Sequence, residues 1–445
     1  MYINLLFDQP TSIQHQAFLQ TDLGKYRRAL PLKEMAELLS PPPGGLSGRG
    51  RKPWLNVEGG LALLTLKHFL AVTDEQLIER LNTDWAMQMF CGINLKSKRI
   101  RDLDLPSRWR SYVGKHLDID KCQLACVKAW KQYMENTHVG LTDATVYESY
   151  ITYPADAKLI WNGCVQVYEL VCIVRKALKL SRTRSNHEGQ KKKYRVFAKQ
   201  KKKSRRKSRK ICKSFLKYLD RLTEQLTELL NTQSQIRLRN QQYNRLRVTE
   251  KMKQQQWRVH FGKESRVPDR IVSLHKPYVR AIIRGKEVKP VEFGCKINKL
   301  QIDGISFIEH YSYDAFNEGT RLKSTIHLQR RYFGKCSQMG ADAIYGTNKN
   351  RTYCSKHHIA TCFVPKGKEG PLQQQKSQMR TLLGKARSTQ LEGSFGNEKN
   401  HYLLDKIKAR SQATEIVWIF FGIFAANGAQ IAHRMERQQK TTRAA

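Results

Sequence analysis

The spacing of apolar residues separates a helical first part of the chain from a later part with alternating strands. Apolar residues of the segment 61–70 recur at helical intervals and predict an apolar helix. Thr73 and Gln76 have the spacing of a capping box, which predicts a second helix through Leu81. Two helices joined by so short a turn are typical of a helix-turn-helix that contacts DNA, or of an ordinary helical pair in a small bundle.

Residues 1–40 show weak helical spacing, and a break follows them. Three prolines, Pro41 to Pro43, precede the glycine-containing stretch 44–53. Proline fixes its own φ and has no amide proton, so an extended connector is predicted here. The stretch lacks the Gly-Lys-Ser/Thr ending of a phosphate-binding loop.

Period-two alternation replaces helical spacing later in the chain. The strands that it predicts are 141–151, 291–302, 305–313, 340–345 and 359–364. Asp303-Gly304 supplies a tight hairpin turn between the second and third of these strands. Helices are predicted at 320–332, at 350–356 and from Leu391 to the C-terminus. This order of strands and helices is that of an RNase H-like domain with an insertion after its first strand.

The insertion consists of a basic segment followed by two predicted helices. Residues 175–210 contain 18 Lys or Arg and one acidic residue, Glu188. This density predicts either a solvated helical face or a contact with phosphates. An apolar stripe then recurs at intervals of 4, 3, 4 and 3 along Phe215, Leu219, Leu222, Leu226 and Leu229. After the polar residues 231–235, a second helix runs to about Phe261, so a helical hairpin is predicted, with a self-association surface as the alternative.

The amino-acid composition indicates which kind of molecule the chain binds. The chain has 445 residues, 40% of them hydrophobic, and 80 Lys or Arg against 38 Asp or Glu, which gives a net charge of +42. So basic a chain favours nucleic acid as its partner over an anionic membrane surface. The apolar stretch 416–432 is shorter than a spanning helix usually is, at about 20 residues, and predicts a buried helix instead. The ten cysteines contain no CxxC pair and indicate reduced thiols of a cytosolic protein.

Three carboxylates fall where the predicted fold would bring them together. Asp143 lies in the first strand, Asp342 in the strand after the first helix, and Glu392 at the opening of the last helical region. Cleavage of a phosphodiester without a covalent intermediate is served by two hard cations, which prefer oxygen ligands. The three positions therefore predict a metal site with Asp143, Asp342 and Glu392 as its ligands.

Other candidate ligands fit less well. Glu148 falls on the opposite face of its strand from Asp143, Asp156 resembles a helix N-cap, and Asp303 lies in a turn. A second cluster has spacing that zinc binding allows, but it is better explained as a thiol, two surface imidazoles and a core residue. Its members are Cys354, His357, His358 and Cys362.

Several stretches together resemble a bacterial DDE insertion-sequence transposase with the InsH-type helical N-terminal domain. They are SGRGRKPWLNVEGGLALLTLKHFLAVTDEQLIERL, LTDATVYESYITYPADAKLIW at 141–161, VEFGCKINKLQIDGISFIEHYSYDAFNEGT at 291–320, GADAIYGTNKNRTYC at 340–354 and LEGSFGNEK at 391–399. The resemblance implies that Asp143, Asp342 and Glu392 hold two Mg²⁺ ions, for which Mn²⁺ can substitute. It also implies Lys399, seven residues after the glutamate, as a DNA contact.

The family usually has an arginine four residues before its glutamate, and this chain departs from that pattern. Ser388 occupies the place, and Arg387 lies one residue further away. We include Arg387 among the candidate DNA contacts, together with residues of the basic segment. The latter are Lys191, Lys192, Lys193, Lys201, Lys202, Lys203, Arg205 and Arg206.

The fold predicted from these features is α/β, and four segments divide it. Residues 1–135 form an all-helical N-terminal domain for DNA binding or oligomerisation, and 136–174 begin the RNase H-like mixed-sheet catalytic domain. Residues 175–270 form the helical insertion, with its basic segment and hairpin, and 271–445 complete the catalytic domain.

The predicted function is metal-dependent cleavage and strand transfer of DNA at the inverted-repeat ends of an insertion sequence. By resemblance, the partners are double-stranded DNA, both element ends and target, and further copies of the chain on paired ends, in the bacterial cytoplasm and without a membrane. Two alternatives remain open at this stage. One is a catalytically inactive DNA-binding protein from a decayed element, and the other is a structure-specific nuclease of the same fold.

Overall fold

The computed structural model describes residues 13–39, 53–181, 183, 185–232, 237–284, 290–366 and 373–444. The predicted connector at 41–53 lies outside these residues except for Pro53, and so do residues 233–235 of the polar segment. The chain divides into two compact units. The larger comprises Met1–Tyr150 and Gly294–Ala445, and the smaller comprises Ile151–Phe293.

The larger unit begins with a run of helices. Within the described residues these are α1 (Ile13–Gln20), α2 (Asp22–Arg28), α3 (Leu32–Glu37), α4 (Val57–Phe69), α5 (Asp74–Thr83), α6 (Trp85–Phe90), α7 (Leu105–His116) and α8 (Ile119–Trp130). The predicted capping box is confirmed, since Thr73 and Gln76 each accept the other's amide proton. α4 is buried almost along its whole length and is a core helix. DNA contact by α4 and α5 stays a prediction.

A curled mixed sheet follows, and it makes the larger unit an α/β structure. Its strands are β1 (Val139–Ser149), β3 (Val291–Ile302), β4 (Ile305–Ser312), β5 (Gln338–Ala341), β6 (Ala360–Thr361) and β7 (Lys406–Ile407). β1 pairs antiparallel with β3 and parallel with β5 and β7, and β6 continues the sheet beyond β5. The remaining helices are α13 (Leu322–Phe333), α14 (Asn348–Lys356), α15 (Gln373–Ala386), α16 (Glu392–His401) and α17 (Gln412–Ala444).

The hairpin of β3 and β4 is confirmed at the predicted turn. Asp303 and Gly304 both have positive φ angles, of 48° and 78°. A two-residue turn with positive φ at both positions matches the twist of the flanking strands. Asp303 also accepts a hydrogen bond from Arg434 of α17 at 2.6 Å, so the turn is fixed to the C-terminal helix.

α17 is the apolar C-terminal helix that the sequence predicts to be buried, and it packs against α4, α7 and β4. Asn427 interrupts the apolar stretch of α17 because its side-chain amide pairs with β4. Oδ1 of Asn427 accepts from the backbone N–H of Ser306 at 2.9 Å, and Nδ2 donates to the carbonyl oxygen of Ser306 at 2.7 Å. Among the described residues, the segments 412–441 and 156–177 are long and apolar enough to cross a membrane. For 412–441, however, 83% of the apolar window is buried within the protein, as in a soluble core helix.

The smaller unit is mainly helical. It contains α9 (Asp156–Ala177), α10 (His187–Lys199), α11 (Arg205–Thr232) and α12 (Asn240–His260), and β2 (Ala281–Ile283), which pairs with the first residues of β3. α10 is fixed by aromatic stacking: His187 lies 3.8 Å from the ring of Tyr168 and 5.3 Å from that of Trp161. The basic segment is therefore built on an ordered helix rather than on a flexible tail.

One alternative and one prediction for this unit are wrong. The apolar stripe of α11 does not form a self-association surface, because four of its five residues are at most 1% exposed and pack in a core with α9. α11 and α12 do form the predicted helical pair, which Lys253 and Asp220 join at 2.7 Å. Asp156 does not cap α9. It lies in the first turn and binds Arg270 at 2.7 Å, whereas Ala155 occupies the cap position.

Buried His68 of α4 is expected to make the protein sensitive to acid. Its Nδ1 donates to the carbonyl oxygen of Tyr402 at 2.9 Å, and burial lowers the pKa of His68 from 6.5 to about 3. Between pH 6.5 and about 3, His68 is protonated in the unfolded chain but not in the folded chain. The free energy of unfolding therefore has its full value above pH 6.5 and decreases as the pH drops towards 3. The free energy of unfolding should fall by about 1.4 kcal/mol for each pH unit in that window.

Urea unfolding of wild type, His68→Gln and His116→Gln across that window measures this loss. His68→Gln should lose the part of the pH dependence that His68 contributes, whereas His116→Gln, at the exposed end of α7, should keep the wild-type dependence. Parallel curves for all three proteins would show that His68 is not the group responsible.

Candidate active site

Asp143 lies in β1, at the centre of the sheet, between strands β3 and β5. Its cross-strand partner in β3 is Lys299. On its other side, Thr142 pairs with Ala341 of the parallel strand β5. Asp143 and Asp342 are each the next residue after this pair in strands that run in the same direction. Neighbouring strands lie about 4.8 Å apart, so Asp143 in β1 and Asp342, directly after the end of β5, lie next to each other.

Asp342 does not lie inside a strand, as the sequence predicts, but directly after one. β5 ends at Ala341, and Asp342 caps a short 3-10 helix, Ala343–Tyr345, with its Oδ1 accepting from the amide of Ala343 at 2.7 Å. The strand is shorter than predicted because the chain turns at this cap. The carboxylate of Asp342 is exposed at the end of the strand.

Arg387 joins the first and third candidate carboxylates. Its Nη1 lies 3.1 Å from Oδ2 of Asp143 and 3.0 Å from Oε1 of Glu392. Two carboxylates from distant parts of the chain thus meet at one guanidinium nitrogen. The structure brings the first strand and the last helical region together at this point, as the order of elements predicts.

A wider helical turn places Arg387 over Glu392. Residues Arg387–Leu391 form a π-helix between α15 and α16, and the amide of Glu392 donates to the carbonyl of Arg387, five residues earlier. A π-helical hydrogen bond joins residues five apart in the sequence, whereas an α-helical one joins residues four apart. Arg387 therefore reaches the same side of the helix as Glu392 despite the extra residue between them.

The surroundings of Asp143 disfavour its charge. Burial raises the pKa of Asp143 to about 6. The amide of Ala144 and the guanidinium of Arg387 oppose that rise, and the carboxylates of Glu318 and Asp342 add to it. Burial is therefore the main reason why the charge of Asp143 is disfavoured, and a cation bound there would favour the charged form. Glu318 was not predicted from the sequence.

The donor set suits a hard cation, although the side chains are not arranged as a complete metal shell. Among the described residues, no group of three or more His, Cys, Asp and Glu side chains stands in a position to hold a metal ion. The groups around Asp143 are carboxylates, which are ligands that Mg²⁺ prefers. The Arg387 guanidinium occupies the position between Asp143 and Glu392 where a cation would neutralise both.

Lys399 reaches the same face of the sheet from α16. Its Nζ donates to Oγ1 of Thr145 at 3.2 Å and lies 5.8 Å from the ring centre of Tyr147. Asp143, Thr145 and Tyr147, which the sequence places on one face of β1, thus all contact the segment 387–401. Lys399 lies two helical turns after Glu392 on that segment, as predicted.

A buried ion pair beneath the site, which no sequence pattern predicts, anchors α16 to the sheet. Nζ of Lys299, which is fully buried, donates to Oε1 of Glu398 at 2.7 Å and to Oγ of Ser394 at 2.8 Å. The hydroxyl of Tyr147 donates to the other oxygen of Glu398. Strands β1 and β3 thereby hold the helix that carries Glu392 and Lys399.

The basic residues predicted to bind DNA lie in the smaller unit and present their charges to solvent. Lys191, Lys192 and Lys193 lie in α10, Lys201, Lys202 and Lys203 in the link to α11, and Arg205 and Arg206 at the start of α11. All are exposed except Lys191, which is half-buried and lies 3.4 Å from Glu188. DNA contact by these residues stays a prediction.

The side chains of Cys354, His357, His358 and Cys362 do not come together as a metal-holding group in the part of the chain that the structure describes. Cys354 is buried in α14, and Sγ of Cys362 instead donates to the carbonyl of Ala341 at 2.9 Å. His357 and His358 are exposed at the end of α14. The two imidazoles lie at the surface as predicted, whereas Cys362, which was predicted to be a core residue, is only half-buried.

Comparison with known proteins gives one finding. Residues 14–112 match the family model described as "Transposase domain (DUF772)". No curated protein and no solved structure matches the chain significantly. The matched segment includes helices α1 to α6 and most of α7, and it supports a transposase in general terms.

Proposed function

We propose that the chain is a DDE transposase that binds the inverted-repeat ends of an insertion sequence, cleaves DNA there and joins the freed 3′ hydroxyl to target DNA. The observation that carries this proposal is the meeting of Asp143 and Glu392 at Arg387, with Asp342 directly after the neighbouring strand. The match of residues 14–112 to a transposase domain supports the same class of protein. The order of the elements, with β1 central and the hairpin of β3 and β4 beside it, supports an RNase H-like catalytic domain.

The oxygen ligands that we assign to two Mg²⁺ ions, or to Mn²⁺ in their place, are Asp143, Asp342 and Glu392. Bound cations of this kind activate a water or hydroxyl nucleophile and neutralise charge on the leaving oxygen. Arg387 holds two of the carboxylates in position, and its guanidinium can donate to a phosphate oxygen when it leaves them. Lys399, two turns beyond Glu392, would contact a neighbouring phosphate.

The π-helical turn explains a departure from the pattern of the family that the chain resembles. That pattern has arginine four residues before the glutamate, where this chain has Ser388. The π-helix adds one residue to the turn, so that Arg387 occupies the position over Glu392 that an α-helix would give to residue 388. We therefore assign the role of the family's arginine to Arg387.

The proposal also assigns DNA binding to the helical insertion and the pairing of element ends to several copies of the chain. The exposed cations of α10 and of the start of α11 would bind phosphates of the element's DNA, which positions the duplex without reading its sequence. The domain boundaries predicted from the sequence, with the insertion at 175–270, stay part of this proposal. Paired ends would be held by two or more copies of the chain.

Strand joining is the activity that tests the proposal. Wild-type protein, Mg²⁺ and a labelled duplex with the element's own end sequence are expected to give a nick at the end and a product joined to target DNA. Nicking without joining would instead indicate a structure-specific nuclease. Binding in a gel-shift assay without either product would indicate a DNA-binding protein and would overturn the catalytic proposal.

Divalent cations are expected to raise the Tm of the wild-type protein. A ligand that binds only the folded state stabilises it by about 2.7 kcal/mol at a concentration one hundred times its Kd. Because Asp143 is the most buried of the three carboxylates, the Asp143→Asn variant should show a much smaller shift. Equal shifts in both proteins would place the bound cation elsewhere.

A further inference from the structure

A second, positively charged cleft lies in the larger unit. It has a volume of about 800 Å³. One wall comes from the end of α4, the start of α5 and α7, all within the segment that matches the transposase domain. The other wall comes from the end of α16, the loop 403–411 and the start of α17. Its basic lining residues are Lys67, Arg110, Lys399, Lys406, Lys408 and Arg410.

At the deep end of the cleft, an acidic residue neutralises the basic side chains, whereas the two basic residues at its outer end, Lys408 and Arg410, are not neutralised by any carboxylate that the structure describes. Asp74 binds Nζ of Lys67 at 2.6 Å and also pairs with Arg110. Burial alone would raise the pKa of Asp74, but the hydrogen bond and charge of Arg110, together with Lys67, hold it below its ordinary value. Lys408 and Arg410 are exposed, and neither forms an ion pair in the part of the chain that the structure describes.

The positive charge of the outer part extends into the cleft. Burial lowers the pKa of Lys67, and the charges of Arg110 and Lys408 lower it further, against the opposing charge of Asp74. Asp104 and Asp405 also line the cleft, while Lys406 pairs with Glu148 of β1. Within the described residues, Lys408 and Arg410 are thus the lining cations that no carboxylate of the protein pairs with. An anion therefore gains favourable interactions here that the protein does not itself satisfy.

Lys399 connects the cleft with the carboxylate site. The same side chain that lines the cleft donates to Thr145, two residues along β1 from Asp143. An extended polyanion that lies in the cleft can therefore continue past Lys399 towards Asp143, Asp342 and Glu392. A compact anion such as a free phosphate would occupy only part of this path.

The aromatic residue of the cleft is not available as a platform for bases. Nζ of Lys67 lies 4.7 Å, and the guanidinium carbon of Arg110 5.0 Å, from the ring centre of Trp418. The Trp418 indole N–H donates to the carbonyl of Leu403 at 2.9 Å. Single strands are usually bound by stacking of their bases on free aromatic faces. The cleft offers cations instead, which suit the phosphates of a duplex.

We propose that this cleft binds the sugar–phosphate backbone of duplex DNA next to the site of cleavage, with Lys408 and Arg410 as its outer phosphate contacts. The inference rests on the proposed function, because it takes DNA as the substrate of the adjoining carboxylates. It adds a second DNA contact, outside the basic segment and formed jointly by the two walls described above. Binding here is independent of sequence, since backbone contacts position DNA but do not specify it.

Lysine footprinting tests the cleft directly in the wild-type protein. Acylation of each lysine by a soluble reagent is measured by mass spectrometry, with and without a short DNA duplex of mixed sequence and without divalent cations. Lys408 is expected to be protected by DNA, whereas Lys128 and Lys131, which are exposed on α8 and just after it, are expected to react unchanged. An RNA duplex serves as the second probe, and protection of Lys408 by RNA alone would overturn the assignment to DNA.

Removal of the outer cations gives an independent measurement. The Lys408→Ala/Arg410→Ala variant should bind the duplex more weakly and reduce the slope of log affinity against log salt by about 1 to 2, because each phosphate contact contributes about 0.9. The matched control Lys128→Ala/Lys131→Ala loses the same charge outside the cleft and should keep the wild-type slope. Both pairs are exposed, so Tm should stay at the wild-type value in both variants.

The outcomes separate this inference from the proposed function. If wild type binds the duplex and the cleft variant matches it in affinity and slope, with Lys408 unprotected, the cleft proposal is wrong while the transposase proposal stands. If the wild-type protein binds no duplex at all, both are overturned. Protection of Lys408 together with a slope reduced only in the cleft variant supports the cleft.

Discussion

Cleavage of an element-end duplex is expected to fall at least about 100-fold when Asp143 is replaced by asparagine. Loss of outer-shell partners of a metal site already costs up to about 100-fold, and Asp143 is proposed as a direct ligand. Asparagine keeps the size of the side chain but removes the charge that would hold a cation. Because burial disfavours the charged form of Asp143, the neutral variant should fold and bind DNA normally.

Two further variants and one control complete this experiment. Asp342→Asn and Glu392→Gln should lose cleavage in the same way and keep binding in a gel-shift assay. Asp303→Asn makes the same chemical change in the hairpin turn, where asparagine also adopts a positive φ, and should keep cleavage. If Asp143→Asn cleaves at the wild-type rate, the carboxylate site is not the active site.

The largest effect on stability is expected from Lys299→Met. Lys299 and Glu398 are 0% and 2% exposed, and the substitution leaves the carboxylate of Glu398 buried without its ammonium partner. Removal of one member of a buried ion pair costs about 3–5 kcal/mol. Burial also lowers the pKa of Lys299, and the negative charge of Glu398 opposes this effect. The ammonium group therefore depends on Glu398, because little solvent reaches it.

Urea unfolding of a double-mutant cycle measures this effect. The Lys299→Met/Glu398→Gln variant should recover most of the lost stability, because neither charge remains buried. Lys25→Met is the control, since Lys25 binds Glu436 at 3.1 Å near the surface and should cost at most about 1 kcal/mol. A loss for Lys299→Met as small as that of the control would show that the pair does not anchor α16.

Local sequence pattern predicted much of the fold and the identity of the candidate ligands. Alternation placed β3 and β4 at their observed bounds to within one residue, and Asp303-Gly304 identified the turn between them. The capping box at Thr73 marked the start of α5. These features succeed because turn and cap preferences act within a few residues, and periodicity reports which face of an element is buried.

The partners of buried polar residues depended on the tertiary structure. Nothing in the sequence distinguishes Lys299 from the other basic residues. It anchors α16 only because β3 pairs with β1 in the register that turns Lys299 towards Glu398. The apolar stripe of α11 likewise showed that a face is buried but not that α9 covers it. Periodicity identifies a face, and it carries no information on the distant element that packs there.

For this protein, the sequence alone determined the mixed α/β pattern, the three candidate carboxylates and the basic character that favours DNA. Only the tertiary structure decided how Arg387 joins Asp143 to Glu392. A π-helical turn has no sequence signal of its own. It contains one extra residue, and the free-energy cost of this insertion is offset by contacts elsewhere in the fold. The chain could therefore specify the reactive groups locally, whereas their approach to one another required the packing of the whole unit.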